Sequence, residues 1–183
     1  PQKMSCVALS PRAIYLATGT ADGRLYVWHV RSGALLCSFE AHYRGITAIQ
    51  WTLDSAAIIT ASQDTRACVW SWPSIMQYTD LTHTGGPAPA PYATLSDHTL
   101  DISDMYVTAG AFPHETRLWT ASLDGSVKSW DLASRRLVST YVLDEPVRVL
   151  AVDPLERFFF VALHERVCRI DLYANENMSG SGS

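Results

Sequence analysis

Short apolar runs dominate the chain, and each is cut off by a cluster of turn-forming residues. Runs such as Leu25 to Trp28, Ile46 to Trp51 and Phe158 to Val161 are rich in Val, Ile, Thr and aromatic residues. None of them carries a 3.6-residue apolar period for three turns, so the pattern predicts an all-β chain. The first unit reads as strands near Cys6–Leu9, Tyr15–Thr18, Leu25–Trp28 and Leu35–Phe39, with turns at Ser10-Pro11-Arg12, Ala21-Asp22-Gly23 and Arg31-Ser32-Gly33. The second reads as Ile46–Trp51, Ala57–Thr60 and Ala67–Trp70, with its fourth strand delayed to Tyr92–Leu95. Ile102–Tyr106, Thr116–Thr120, Val127–Trp130 and Leu137–Tyr141 form the third, and Arg148–Val152, Phe158–Val161 and Val167–Asp171 the fourth.

A repeat underlies these units. "TGTADGRLYVW", "TASQDTRACVW" and "TASLDGSVKSW" place Thr18, Asp22 and Trp28, then Thr60, Asp64 and Trp70, then Thr120, Asp124 and Trp130 at one fixed spacing. The tryptophans recur after 42 and then 60 residues, so one period of about forty has absorbed an insertion. Units of that length, each a run of short strands, predict a propeller of four-stranded antiparallel blades. The expected units are 1–41, 42–97, 98–144 and a degenerate 145–174. Within the second, 72–90 is expected to be a surface loop because "THTGGPAPAP" cannot supply a regular ladder, with room for a short helical turn at Ser74–Gln77. The tail 175–183, ending "SGSGS", reads as a flexible linker.

These residues resemble the WD-repeat (WD40) family over roughly residues 3 to 173. The resemblance implies a seven-bladed ring, of which about four blades are present here as an open arc or as part of a longer chain. It also implies a hydrogen-bonded tetrad per blade: His42, Thr60, Asp64 and Trp70 in unit two, and His98, Thr120, Asp124 and Trp130 in unit three. Unit one offers Thr18, Asp22 and Trp28, and its histidine position falls too close to Pro1 to be seen. Bonded in sequence, such groups leave no unpaired buried polar atom. Unit four departs from the pattern, with Phe160, His164 and Ile170 aligned to the Thr, Asp and Trp positions.

Composition narrows the function. With 48% hydrophobic and 17% charged residues the chain can bury a core. A net charge of -4 argues against a broad basic face that would grip RNA or DNA unaided. Cys6, Cys37, Cys68 and Cys168 include no C-x-x-C pair and read as reduced, packed thiols. No apolar window is long enough to span a membrane, and Pro1-Gln2-Lys3 does not open a signal peptide. The threefold Thr–Asp set lacks a nucleophile elbow, and its repetition speaks for structure rather than catalysis. His29, His83, His114 and His164 lack metal-ligand spacing, and "ATGTADG" lacks the lysine of a phosphate loop. No catalytic residue, metal or cofactor is expected. Tyr43, Tyr78, Tyr92, Arg135 and Arg136 are the candidate partner contacts.

A finer resemblance rests on "HYRGITAIQWTLDSAAIITASQDTRACVWSWPSIMQ", the Pro-rich insertion after it, and the degenerate unit ending "RIDLY". It points to the ribosome-assembly branch of the WD-repeat family, whose members serve in Rix-type complexes. That resemblance implies a non-enzymatic nuclear scaffold, in nucleolus and nucleoplasm, acting in pre-60S maturation and in processing of the second internal transcribed spacer. Its implied partners are a large helical-repeat scaffold, another assembly subunit, the pre-60S particle and an AAA ATPase remodelling enzyme, with RNA met only within the assembly. The alternative is a generic adaptor, such as a ubiquitin-ligase substrate receptor or a chromatin-binding module.

Overall fold

The computed structural model describes residues 3–81, 87–109 and 116–172. Four antiparallel sheets follow one another along the chain, and in each the strands pair in sequence order. The first holds β1 (Met4–Leu9), β2 (Tyr15–Thr20), β3 (Arg24–His29) and β4 (Ala34–Glu40). The second holds β5 (Ile46–Trp51), β6 (Ala57–Ser62) and β7 (Ala67–Ser71), and then β8 (Ala93–Leu95) after the helix α1 (Trp72–Leu81). β9 (Ile102–Ala109), β10 (Thr116–Ser122), β11 (Ser126–Asp131) and β12 (Arg136–Val142) make the third, and β13 (Val149–Val152), β14 (Phe158–Ala162) and β15 (Val167–Asp171) the fourth. This is the partial WD-repeat propeller that the strand pattern implies.

Strand alternation divides each sheet between two cores. Ile58 joins Leu25, Val27, Phe39, Trp51 and Trp70 between sheets one and two. Its neighbour Ile59 faces the other way, toward Val69, Ile102, Met105, Leu118 and Trp130 between sheets two and three. Leu118 and Trp119 split likewise, Trp119 packing with Phe159, Val161 and Leu150 between sheets three and four. Burying a side chain of this size contributes about 1.5–3 kcal/mol, so each sheet is held mainly by its neighbours.

A ladder of hydroxyls adds a polar tie at every seam. Ser5 Oγ donates to Ile46 O, Thr47 Oγ1 to Ile102 O at 2.6 Å, and Ser103 Oγ to Val147 O at 2.7 Å. Each donor follows the preceding acceptor in the chain. Arg148 stands next in that register and is exposed, so the series stops at sheet four.

The expected surface loop 72–90 is corrected in its first half. α1 occupies ten residues rather than a single turn. Pro73 sits in its first turn, where a missing N–H costs nothing. Ile75 is fully buried against the first core, and Tyr78, three residues on, meets Phe39 edge to face with centroids 6.0 Å apart. The helix is fixed by this one inward stripe. Residues 82–86 of the insertion and the tail 175–183 lie outside the described residues.

Candidate functional site

The three Asp turns set up the repeated polar groups of the molecule. Gly23 and Gly125 follow Asp22 and Asp124 with φ of 88° and 79°, and Thr65 adopts the same left-handed conformation at 71° after Asp64. Glycine is required at the first of these: a Cβ on Gly23 would lie 2.2 Å from His42 O. So folded, each turn points its aspartate back over the sheet.

In sheet two, Asp64 Oδ2 accepts from His42 Nδ1 at 2.9 Å, and His42 Nε2 lies 2.7 Å from Thr60 Oγ1. The Trp70 indole N–H donates to the same Thr60 oxygen at 2.9 Å. Sheet three repeats the chain: His98 Nδ1 to Asp124 Oδ2 at 3.0 Å, His98 Nε2 to Thr120 Oγ1 at 2.8 Å, and Trp130 Nε1–H to Thr120 Oγ1 at 2.9 Å. Sheet one shows the remaining link, with Trp28 Nε1–H donating to Thr18 Oγ1 at 3.3 Å, while a Thr20 hydrogen bond holds the Asp22 carboxyl below its usual range. The structure thus brings the two four-residue sets together through bonds that run from turn to strand.

The electrostatics favour one arrangement of protons. Burial lowers the pKa of His98 despite the carboxylate beside it. A neutral ring with its hydrogen on Nδ1 donates to Asp124 and accepts the Thr120 hydroxyl on Nε2, which leaves Thr120 oxygen lone pairs for the indole. Burial would raise Asp124, but Ser126, the Thr99 N–H and His98 outweigh it and bring the carboxyl to about 2. Asp64 is likewise lowered, its burial overcome by His42 and by the Arg66 and Tyr43 amides. Both imidazoles are only 1% exposed. Among the described residues, no buried side-chain nitrogen or oxygen lacks a partner, and no group of three or more His, Cys, Asp or Glu is disposed to hold a metal. The cysteines are free thiols, and burial pushes Cys68 up to about 11.

Sheet four corrects the sequence alignment. Ile170 pairs with Phe159 as Trp130 pairs with Leu118, which puts Val161, not Phe160, at the threonine position. Between the last paired residues the β14–β15 turn holds four residues where its counterparts hold five, so a count from the turn slips by one. Strand alternation then turns Phe160 to the opposite face, where it is 40% exposed, and His164 is an exposed turn residue with no aspartate counterpart. In place of a tetrad, Glu156 reaches into the seam with sheet three. Its carboxylate accepts from the Thr108 hydroxyl, from Arg117 Nη1 at 2.8 Å and from Trp119 Nε1–H at 3.2 Å. Asp104 adds a bond from the Leu150 amide at 2.9 Å. Sequence reasoning missed both carboxylates because neither lies in the repeat.

The candidate contacts scatter. Tyr43 is 89% exposed on the loop between β4 and β5. Tyr92 and Arg135 come together, with the guanidinium 3.9 Å above the ring, and Arg136 is exposed at the start of β12. Tyr78 is withdrawn from this set, since it packs inward from α1. His29 bonds Ser32, whereas His83 and His114 lie outside the described residues.

Antiparallel meanders stacked seam on seam, with repeated Trp–Thr–His–Asp chains inside, define a propeller module built of WD repeats. The WD domain, G-beta repeat family matches residues 2–29, 33–71 and 89–131, and the chain belongs to this family. It is 42% identical over 98% of its length to Pre-rRNA-processing protein IPI3 of Mycosarcoma maydis, of which it covers 32%. To Pre-rRNA-processing protein crb3/ipi3 of Schizosaccharomyces pombe it is 30% identical over 97% of its length, covering 40% of that protein. WD repeat-containing protein 18 of Danio rerio is 31% identical over 87% of the chain, and the chain covers 35% of it. The chain therefore spans about a third of the length of these relatives. Among solved structures, that of the RRP9 WD40 repeats superposes with a TM-score of 0.71 at 20% identity, over 88% of this chain and 45% of that one, and shows the shared fold.

Proposed function

We propose that this chain is part of a non-enzymatic WD-repeat scaffold in ribosome biogenesis, acting in the nucleus on pre-rRNA processing. In its finer form the reading is maturation of the pre-60S particle and processing of the second internal transcribed spacer, within a Rix-type complex. The chain would there hold together a large helical-repeat scaffold and another assembly subunit, and help an AAA ATPase remodelling enzyme dock. The observation that carries the reading is similarity along nearly the whole chain to proteins named for pre-rRNA processing. Two physical features agree with it. The repeated polar sets are buried and tie turns to strands, and the net charge of -4 suits contacts to proteins, with RNA met only inside the assembly. Tyr43, Tyr92, Arg135 and Arg136 are the contacts such a scaffold would offer.

Affinity purification of the tagged full-length protein tests this directly. Recovery of large-subunit precursor proteins with spacer-containing RNA is the expected result. A preparation holding ubiquitin-ligase or chromatin components and no ribosomal precursors would replace this reading with the adaptor one.

A further inference from the structure

Sheets two and three leave a cleft between them at the end that carries the β5–β6 and β11–β12 turns. Its volume is about 280 Å3, and Ala57, Val69, Tyr92, Leu132 and Ala133 give it an apolar lining. That size lies at the low end for pockets that engulf a whole small ligand; it suits individual side chains of a larger partner.

The charges at its rim are unevenly satisfied. Arg135 lies over Tyr92 with its backbone held at a φ of 60°, whereas Arg136 stands opposite Asp131, on the face from which Arg117 reaches sheet four. Both are exposed, and neither forms an ion pair among the described residues. The neighbouring carboxylates are occupied by their own turns. Asp54, also in the lining, accepts the Ala56 amide at 2.9 Å, and Asp131 accepts the Ala133 amide at 3.0 Å together with Ser134. Arg135, in the same turn as Asp131, is thus left without a carboxylate partner, its guanidinium lying on Tyr92 beside an apolar hole. Such pairing of a bidentate cation with an apolar anchor site is a favourable setting for a binding hot spot.

We propose that this cleft docks an extended segment of a partner protein in which an aliphatic side chain, seated against Leu132 and Val69, is flanked by a carboxylate that meets Arg135. RNA phosphate would satisfy Arg135 equally. It would leave the apolar lining unused, and Arg135 already covers the aromatic ring on which a base would stack. The proposal rests on the scaffold reading and supplies the chemistry of one partner.

The test uses the full-length protein as bait for a displayed library of random short peptides, with labelled oligouridine as competitor. Enriched peptides are expected to combine an aliphatic residue with Asp or Glu. A synthetic representative should lose about tenfold or more in affinity in Arg135→Glu, as for other truncated interfacial charge pairs. Ala133→Trp, which fills the cleft from an exposed position, should have the same effect. Thermal melting of both variants should match the parent, and Arg44→Ala, on the exposed β4–β5 loop at the opposite end of the sheets, should leave binding unchanged. Enrichment of basic or purely polar peptides, binding indifferent to both seam variants, no enrichment at all, or displacement by oligouridine at equal concentration would each overturn the proposal. Because this readout involves no ribosomal precursor, its failure and a failure of the scaffold reading are told apart.

Discussion

At the scale of single residues, the repeated Thr, Asp and Trp act as a set because each satisfies its neighbour. Removing one member strands the others: Asp64→Ala leaves the His42 Nδ1–H and the Tyr43 and Arg66 amides short of an acceptor. The expected cost is about 1–3 kcal/mol, measurable by urea unfolding. Acidification should act on the third-sheet set in two stages. His98 binds its proton less readily in the fold than its ordinary 6.5, so stability falls as the pH drops below 6.5 and the unfolded chain takes up protons first. Asp124 is depressed from 3.8 to about 2, so its contribution is intact above 3.8 and is lost as the pH falls toward 2. Urea midpoints across this range should show both losses, and Asp124→Asn should make the lower one smaller, the depressed Asp64 keeping a share of it.

At the scale of elements, most strands were legible because each combines period-two apolar alternation with flanking turn residues. β5 and β11 lie within a residue or so of their expected spans. α1 was not, since its single inward stripe of Ile75 and Tyr78 is too short to stand out as a helical period beside a Pro and Gly-rich run. The slip at Phe160 has a similar origin: a turn shortened by one residue is invisible when only spacing is counted, and the register of β14 against β15 reveals it. Of the polar clusters, the tetrads could be read because they repeat, while Glu156 occurs once and its partners Thr108, Arg117 and Trp119 are far away in sequence. Its loss should loosen one element specifically. Glu156→Ala leaves the Trp119 indole N–H and Arg117 unpaired in a largely buried seam and should cost about 2–3 kcal/mol. Hydrogen exchange should then show β13 to β15 losing protection before the other sheets; uniform loss across all four would contradict this role.

At the scale of the whole molecule, cores lie between consecutive sheets, and among the described residues the two terminal faces are left without one. Val7 and Leu9 on β1 are 63% and 55% exposed, and Val149 and Val167 on the fourth sheet 54% and 68%. Apolar faces and open sheet edges of this kind drive association. The isolated 183-residue chain should therefore dimerise or aggregate at micromolar concentration, as followed by light scattering, and a monodisperse monomer would contradict the open-arc description. The functional claim also belongs to this scale, since a scaffold is judged by what fails to assemble without it. Its most direct test is depletion of the full-length protein followed by hybridisation of pre-rRNA with a probe for the second internal transcribed spacer. Accumulation of large-subunit precursors retaining that spacer, reversed by re-expression, is the result predicted here; unchanged spacer processing after verified depletion would contradict it.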